Sequence, residues 1–251
     1  EEFVEEVDYE GLNLSVYSDL GREPALIFGK EKYQKALKGN ADEAYELAVR
    51  YFKGDGVPQN FQKAMDLIED RKEGNSSEAL LWRAKILLDG IGVKRELDKA
   101  YSSALQAGAL GNIEAISLLT KIEKDISSED IIRLQDETLK NWRKDKRSTF
   151  LKTKTNSALS GDLTAMRNLA AEFQRGLNLP RNYFQSYVWA SLAGATGDKI
   201  SLINRDRLLS TSIKFKLLSS KRISQAQEMA SEMWTEKLAD ALVKSKVKNK
   251  K

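Results

Sequence analysis

The chain has 251 residues, of which 41% are hydrophobic and 31% are charged, so it is long and apolar enough to bury a substantial core. It contains neither Cys nor His, which excludes disulfides, a Cys/His nucleophile, a Ser-His-Asp triad and an ordinary zinc site. Only three prolines, together with abundant Ala, Leu, Lys and Glu, predict an all-α protein. We therefore expect no catalytic residues, no metal ligands and no cofactor.

The net charge of +4 is unevenly distributed along the chain. Residues 1–24 carry eight acidic residues and one arginine, a local charge of −7. Basic residues concentrate in 140–154 and in the tail from Lys237 to Lys251. The run in 140–154 is interpreted either as a solvated helix face or as a contact patch for an anionic partner, and the acidic segment argues against nucleic acid. The contact patch would consist of Lys140, Arg143, Lys144, Lys146 and Arg147.

Three eleven-residue stretches resemble one another: GDGVPQNFQKA at 54–64, GIGVKRELDKA at 90–100 and GLNLPRNYFQS at 176–186. The first two begin 36 residues apart (90 − 54), which is the length of one helix–loop–helix unit. Such a period indicates a stacked array of repeats. Asn178 replaces the second glycine of the loop, and Asn is the residue that best substitutes for glycine at positive φ. We therefore predict a left-handed backbone at this position.

Helical periodicity precedes and follows each loop. The first helix of the first unit places Ala44, Leu47, Ala48 and Tyr51 on one face, at the spacing i, i+3, i+4, i+7. The units are predicted to cover 39–73, 74–110, 111–160 and 161–197, after a half-unit at 30–39 and before a C-terminal cap at 198–243. In domain terms, residues 1–24 form an acidic segment, 25–243 form a single domain, and 244–251 form a basic disordered tail.

The third unit departs from this pattern. It has no Gly-x-Gly loop, and 50 residues separate Gly111 from Gly161, against 35 and 37 in the two preceding units (39 to 74, 74 to 111). Ser127 with Asp130 predicts the start of a long helix over about 128–159, in which Trp142 and Phe150 are candidate core residues. This helix either protrudes from the array or bends near 144–148 and packs.

These features resemble the Sel-1-like repeat, a relative of the tetratricopeptide repeat. The resemblance is specific over 39–111, good over 161–197 and weak elsewhere. The chain departs from the family where the first-helix glycine is replaced by Ala48, Arg83 or Ala170. The matching positions are Ala44, Tyr51, Gly54, Gly56, Val57, Lys63, Ala64, Gly74, Ala79, Gly90, Gly92, Val93, Lys99, Ala100 and Ala107.

The resemblance implies a right-handed α-solenoid of stacked helix–turn–helix repeats, closed by C-terminal capping helices. It also implies a non-enzymatic scaffold or adaptor that binds another protein on its concave surface, which first helices line. The carboxylates of Asp66 and Glu69 are then solvated surface charges rather than catalytic groups. The expected partner-binding residues lie off the buried stripe of the first helices: Tyr45, Val49, Arg50, Leu81, Lys85, Lys121, Arg167, Asn168 and Glu172.

Bacterial proteins with this repeat suggest a further alternative, an immunity protein that sequesters a secreted phospholipase-type toxin. The basic residues themselves suggest another, a binder of an anionic polymer or membrane through the basic helix at 140–154. Because the chain starts with Glu1 and lacks Cys, we expect a periplasmic or otherwise exported product whose leader has been removed. Membrane contact is then expected only through a removed lipid anchor or the basic tail.

Overall fold

The structure, a computed structural model, describes residues 30–38, 40–69, 76–144, 148–215 and 217–248. The acidic segment 1–24, Gly74, Lys146, Arg147 and the last residues 249–251 lie outside this part of the chain. All regular elements of the described residues are helical. They are α1 (Lys30–Leu37), α2 (Ala41–Lys53), α3 (Phe61–Glu69), α4 (Ser77–Asp89), α5 (Leu97–Ala109), α6 (Ile113–Ile122), α7 (Ser128–Lys144), α8 (Thr149–Leu159), α9 (Leu163–Arg175), α10 (Tyr183–Ala195), α11 (Lys199–Phe215), α12 (Ser220–Met233), a π-helical turn (Trp234–Leu238) and α13 (Ala239–Lys248).

Helices pair in the order in which they occur. The consecutive helices α2 and α3, α4 and α5, and α9 and α10 pack against each other and form the repeat units. The first helices also pack on one another along the array, α2 on α4 and α4 on α6. Ala44, Leu47, Ala48 and Tyr51 are all buried, which confirms the predicted stripe of the first unit. The structure is therefore an all-α solenoid of helical repeats, as the sequence predicts.

The first helix of each unit begins at a polar N-cap. Asn40, Ser76, Asn112 and Asp162 have extended backbones, and each side chain accepts a hydrogen bond from the backbone N–H three residues later. These bonds satisfy donors that the first turn of a helix leaves unpaired. The short polar residue that follows each turn thus fixes where the helix starts.

The three similar loops share one backbone conformation. Gly54, Gly90 and Gly176 end the first helices with φ of 72°, 69° and 77°, in the left-handed region. Asn178 has φ 65°, which confirms the prediction made from its alignment with glycine. In the last loop the Asn182 N–H donates to the Phe173 carbonyl at 2.8 Å, and the equivalent bonds close the two earlier loops.

The third unit contains two helices where the sequence predicts one long helix. α7 ends at Lys144 and α8 begins at Thr149, so the predicted bend is a break between two helices. α7 packs on α5 and α8 packs on α9, and neither protrudes. Phe150 was predicted to be buried, but it is 45% exposed, because the helix that starts after the break turns Leu151 inward instead.

The C-terminal helices cover the end of the array, with α11 and α12 both packed on α10. The sequence predicts Ser219 or Ser220 as the N-cap of α12, and Ser219 takes this position by accepting a hydrogen bond from the Arg222 N–H. α13 extends to Lys248, so helix occupies part of the segment that was predicted to be a disordered tail.

Candidate partner-binding surface

A cleft of about 550 Å³ lies between α2 and the N-terminus of α4, and we call it the α2–α4 cleft. It contains three of the predicted partner-binding residues. Within it the Arg50 guanidinium donates to one carboxylate oxygen of Glu46 at 3.2 and 3.1 Å. The lining of the α2–α4 cleft combines apolar, acidic and basic side chains: Asp42, Tyr45, Glu46, Val49, Arg50, Lys53, Asp55, Ser76 and Glu78.

Two of the predicted surface residues are core residues instead. Tyr45 is 3% exposed and Leu81 is 4% exposed, so neither offers a free side chain to a partner. The reason is that α2 contacts α1, α3 and α4, and α4 likewise has neighbours on several sides. A helix enclosed in this way buries more than one row of residues. Tyr45 lines the wall of the cleft only with the edge that remains accessible.

Several predicted charges connect one repeat to the next. Lys85 on α4 pairs with Glu114 on α6 at 2.5 Å, and its ammonium lies 5.0 Å from the centre of the Trp82 ring. Lys121 on α6 lies 3.9 Å from Asp89. These lysines therefore contribute to the stacking of first helices, a role that sequence spacing alone does not distinguish from partner contact.

Of the predicted residues on α9, two form ion pairs within the fold and one is exposed. Arg167 donates to Asp198 through two nitrogens, and Glu172 pairs with Lys154 on α8. Hydrogen bonds from Arg167 and from Ser201 hold the pKa of Asp198 well below its ordinary value. Asn168 is exposed on the same helix. The predicted surface is therefore not one continuous site: Tyr45, Val49 and Arg50 share the α2–α4 cleft, whereas Arg167 and Asn168 line a separate cleft of about 200 Å³.

Sequence reasoning missed the acidic and basic residues that complete the α2–α4 cleft. Glu46 and Lys53 lie one turn from the predicted Val49 and Arg50 on the same helix, and Asp42 lies one turn from the predicted Tyr45. Helical spacing of three or four residues was the signal that could have identified them. Glu78 could not be found in this way, because it reaches the cleft from the next repeat, where it pairs with Lys53 at 2.7 Å.

The basic patch of the third unit lies at the C-terminal end of α7. Lys140, Arg143 and Lys144 are exposed there, while the other two predicted members fall outside the described residues. No ion pair involves these three side chains within the described part of the chain. Their contact with an anionic partner stays a prediction from the sequence.

A buried polar cluster joins the third and fourth units. The side chains of Arg181 and Glu123 are only 4% and 7% exposed, and they form an ion pair with N–O distances of 3.0 and 3.1 Å. Tyr101 and Tyr183 donate their hydroxyls to the same carboxylate at 2.7 and 2.9 Å. Burial, reinforced by the charge of Glu123, raises the pKa of both tyrosines, which keeps them protonated as donors.

The remaining polar atoms of this cluster also have partners. Gln135 on α7 donates to the Tyr101 hydroxyl at 2.8 Å and accepts from the Tyr183 backbone N–H at 3.0 Å. Arg181 donates further to the carbonyls of Ile116 and Arg175 at 3.3 and 3.1 Å. Every charge in this cluster is compensated within the fold, so removal of one partner would leave the other charge buried and unpaired.

The described residues include no group of three or more potential metal ligands. None of the helices in that part of the chain has the length and apolar character needed to cross a bilayer.

A family model for the Sel1 repeat matches residues 44–69, 77–112 and 163–198. The chain is a Sel1-like repeat protein. The three matches coincide with the units that contain the left-handed loop, and they omit the third unit. No curated protein matches the chain.

Two solved structures of Sel1-type proteins are similar to this Sel1-like repeat protein. One is a protective antigen of uropathogenic Escherichia coli strains that displays an SLR fold, with 18% identity, a TM-score of 0.31 and coverage of 86% of this chain. This chain spans 57% of the length of that protein. The other is a Sel1 repeat protein from Oxalobacter formigenes, with 16% identity, a TM-score of 0.29 and coverage of 70% of this chain and 96% of the other.

Sel1 repeats belong to a non-catalytic type of scaffold that generally mediates protein–protein interaction. The surfaces described above are accordingly considered as binding surfaces.

Proposed function

We propose that this Sel1-like repeat protein is a non-enzymatic scaffold that binds a protein partner in the α2–α4 cleft. The observation that supports this proposal is the lining of the cleft, in which Val49 and the edge of Tyr45 are surrounded by charges of both signs. Protein interfaces combine an apolar centre with a polar rim in this way. The partner segment would insert an apolar side chain over Val49 and pair its own charges with Arg50 and Asp42.

An exchange of two charges tests this proposal. Charge reversal at Lys85 or Arg167 would break ion pairs between helices, so a loss of binding in such variants would be ambiguous. The double variant Glu46→Arg with Arg50→Glu instead retains an ion pair between positions 46 and 50 and reverses the charges that a partner meets. We expect its thermal midpoint to stay close to that of the parent protein, because both proteins keep an ion pair between positions 46 and 50, and pairs four residues apart on a helix contribute only about 0.3–0.5 kcal/mol.

The readout is affinity capture from the native cell extract, with the parent protein and the exchange variant compared side by side by quantitative mass spectrometry. We expect one stoichiometric protein partner, depleted at least about tenfold with the variant, as truncated or reversed interface charges commonly produce. A partner captured equally by both proteins would rule out the α2–α4 cleft as its binding site. An exported location and a phospholipase-type toxin as the partner stay predictions from the resemblance. Capture of an exported protein would support the first prediction, and capture of a phospholipase would support the second.

A further inference from the structure

A second concave surface lies at the opposite end of the array. α8 packs against α9, α12 packs against α10, and a groove of about 540 Å³ separates α8 from α12. Phe173 and Trp189 form its floor, Leu151 forms one wall, and Met229 and Met233 form the other. We call this surface the α8–α12 groove.

The insertion in the third unit creates this groove. In the regular part of the array the second helix of a unit packs directly on the first helix of the next, as α5 does on α6. In front of the fourth unit, α8 takes that place against α9. The groove therefore exists because the chain has added a helix that the Sel1 pattern does not contain.

The rim of the groove is basic on the side of the insertion. Arg143 and Lys152 line it, both are exposed, and neither forms an ion pair with a described residue. Lys140 and Lys144 flank Arg143 on α7. None of the described residues that line the groove is acidic. The groove thus combines an apolar interior with a cationic edge.

We propose that the α8–α12 groove binds an amphipathic helix of a partner protein whose apolar face enters the groove and whose acidic flank meets Arg143 and Lys152. An amphipathic helix docks in a hydrophobic groove through side chains at i, i+3, i+4 and i+7. Methionine walls suit this mode because the unbranched thioether side chain adapts to the residue that enters.

The shape of the groove disfavours the other anionic partners. Nucleic acid would require exposed aromatic rings on which bases stack, but Phe173 and Trp189 are 1% and 3% exposed at the bottom of the groove. A membrane surface would require apolar side chains that protrude, whereas here the apolar surface is recessed between two helices. A helix with one apolar and one acidic face complements both properties of the groove.

The test uses the full chain and a fluorescein-labelled peptide of about 16 residues, long enough to form a helix when bound. Leu occupies positions i, i+3, i+4 and i+7, and Glu occupies most of the others; a second peptide carries Lys in place of Glu. We expect saturable binding of the Glu peptide and at least about tenfold weaker binding of the Lys peptide, as opposite rim charges predict. The affinity of the Glu peptide should fall when salt rises from about 0.05 to about 0.3 M.

Four variants connect this binding to the groove. Arg143→Glu with Lys152→Glu, and separately Met229→Glu, should each weaken binding of the Glu peptide at least about tenfold. Lys94→Glu with Lys199→Glu changes the net charge equally at exposed positions elsewhere, and Met229→Leu retains an apolar wall. Both control variants should bind within about twofold of the parent protein. Thermal unfolding followed by circular dichroism verifies that each variant is folded.

Several outcomes would overturn the proposal. These are equal affinity for the Glu and Lys peptides, equal weakening by the control and the groove charge variants, or no saturation by the Glu peptide at the highest soluble concentration. Phosphatidylglycerol vesicles that bind the parent protein and not the Arg143/Lys152 variant, without peptide binding, would indicate a lipid surface instead. Displacement of the Glu peptide by a peptide of residues 1–24 of this chain would indicate an occupant from the chain itself. None of these results depends on the α2–α4 cleft.

Discussion

Arg95 and Arg181 occupy equivalent positions in two loops of the same backbone geometry, but their surroundings differ. Both guanidiniums donate to a carbonyl at the end of the preceding helix, Arg95 to Leu88 at 2.8 Å and Arg181 to Arg175 at 3.1 Å. Beyond that, Arg95 reaches Asp125 in a pair whose side chains are about half exposed. Arg181 reaches Glu123 in the buried cluster. The shared loop conformation accounts for the hydrogen bond to the helix-end carbonyl. The packing of neighbouring units decides how much the ion pair of the same guanidinium contributes to the free energy of unfolding.

The largest difference between the two positions should appear when each arginine is replaced by methionine, which retains an unbranched apolar chain and removes the guanidinium. Arg181→Met leaves the buried carboxylate of Glu123 without its counter-charge and should lower the free energy of unfolding by about 3–5 kcal/mol. Arg95→Met removes an exposed pair and should cost less than about 1 kcal/mol. Urea unfolding followed by circular dichroism measures both values.

A second variant distinguishes the effect of the missing counter-charge from the effect of the packing contacts that the arginine side chain loses. In Arg181→Met with Glu123→Gln no buried charge remains. Tyr101 and Tyr183 donate to different oxygens of Glu123, so the amide oxygen accepts from one tyrosine and the amide N–H can donate to the hydroxyl oxygen of the other. This double variant should therefore be more stable than Arg181→Met alone. If the two are equally stable, the uncompensated charge is not the source of the loss.

The next effect concerns the contact between the second and fourth units. A Cβ added at Gly108 would overlap the carbonyl oxygen of Gly176, and the Asn178 N–H donates to the Gly108 carbonyl at 3.2 Å. Gly108→Ala should therefore cost about 1–3 kcal/mol in unfolding free energy, by separating the two backbones. Asn178→Gly keeps this bond and relieves the positive φ, so its stability should equal or exceed that of the parent protein. A tolerated alanine would mean that the C-terminal end of α5 is not in close contact with the loop that follows α9.

Acid should affect the C-terminal units more than the N-terminal ones. The caps of α2, α4 and α6 are Asn or Ser, whereas Asp162 and Asp198 precede α9 and α11. Hydrogen bonds lower the pKa of both aspartates, from Ser157 at Asp162 and from Arg167 at Asp198. Because the folded pKa values lie below the unfolded value of about 3.9, their stabilisation is complete above that pH and is lost as the pH falls toward the folded values.

The variant Asp162→Asn with Asp198→Asn tests this difference in urea unfolding at pH 7 and at about pH 3. We expect the parent protein to lose more of its urea midpoint on acidification than the double variant does. An identical loss in the two proteins would show that other carboxylates cause the acid sensitivity.

The smallest effect is expected for the ion pairs that connect first helices. Lys85→Met removes the pair with Glu114 and preserves the aliphatic contact with Trp82, so the free energy of unfolding should fall by less than about 1 kcal/mol. A loss comparable to that of Arg181→Met, measured in the same urea titration, would contradict the distinction between exposed and buried pairs.

Local features of the fold could be predicted from the sequence, because they depend on residues close together in the chain. The positive φ of Asn178, the cap at Ser219 and the buried stripe of α2 belong to this group. The break between α7 and α8 was foreseen only as one alternative to a protruding helix. Burial of Tyr45 and Leu81 was missed because it depends on helices from other units, which no single helical pattern reports.

The candidate site shows the same limit. Val49 and Arg50 were found from their place on a first helix, but the partner of Lys85 and the role of Arg167 depend on which helix lies opposite. The groove between α8 and α12 could not be predicted, since its two walls are separated in sequence by the whole fourth unit.

The sequence separation of the contacts has a consequence for synthesis on the ribosome. Lys53 and Glu78 are 25 residues apart, so the first two units can complete their contacts while the rest of the chain is still being made. The pair of Arg181 with Glu123 spans 58 residues, and Arg222 reaches back 86 residues to Asp136. Closing these long segments carries a larger entropic cost. The pair of Glu123 with Arg181 therefore forms later in synthesis than the pair of Lys53 with Glu78.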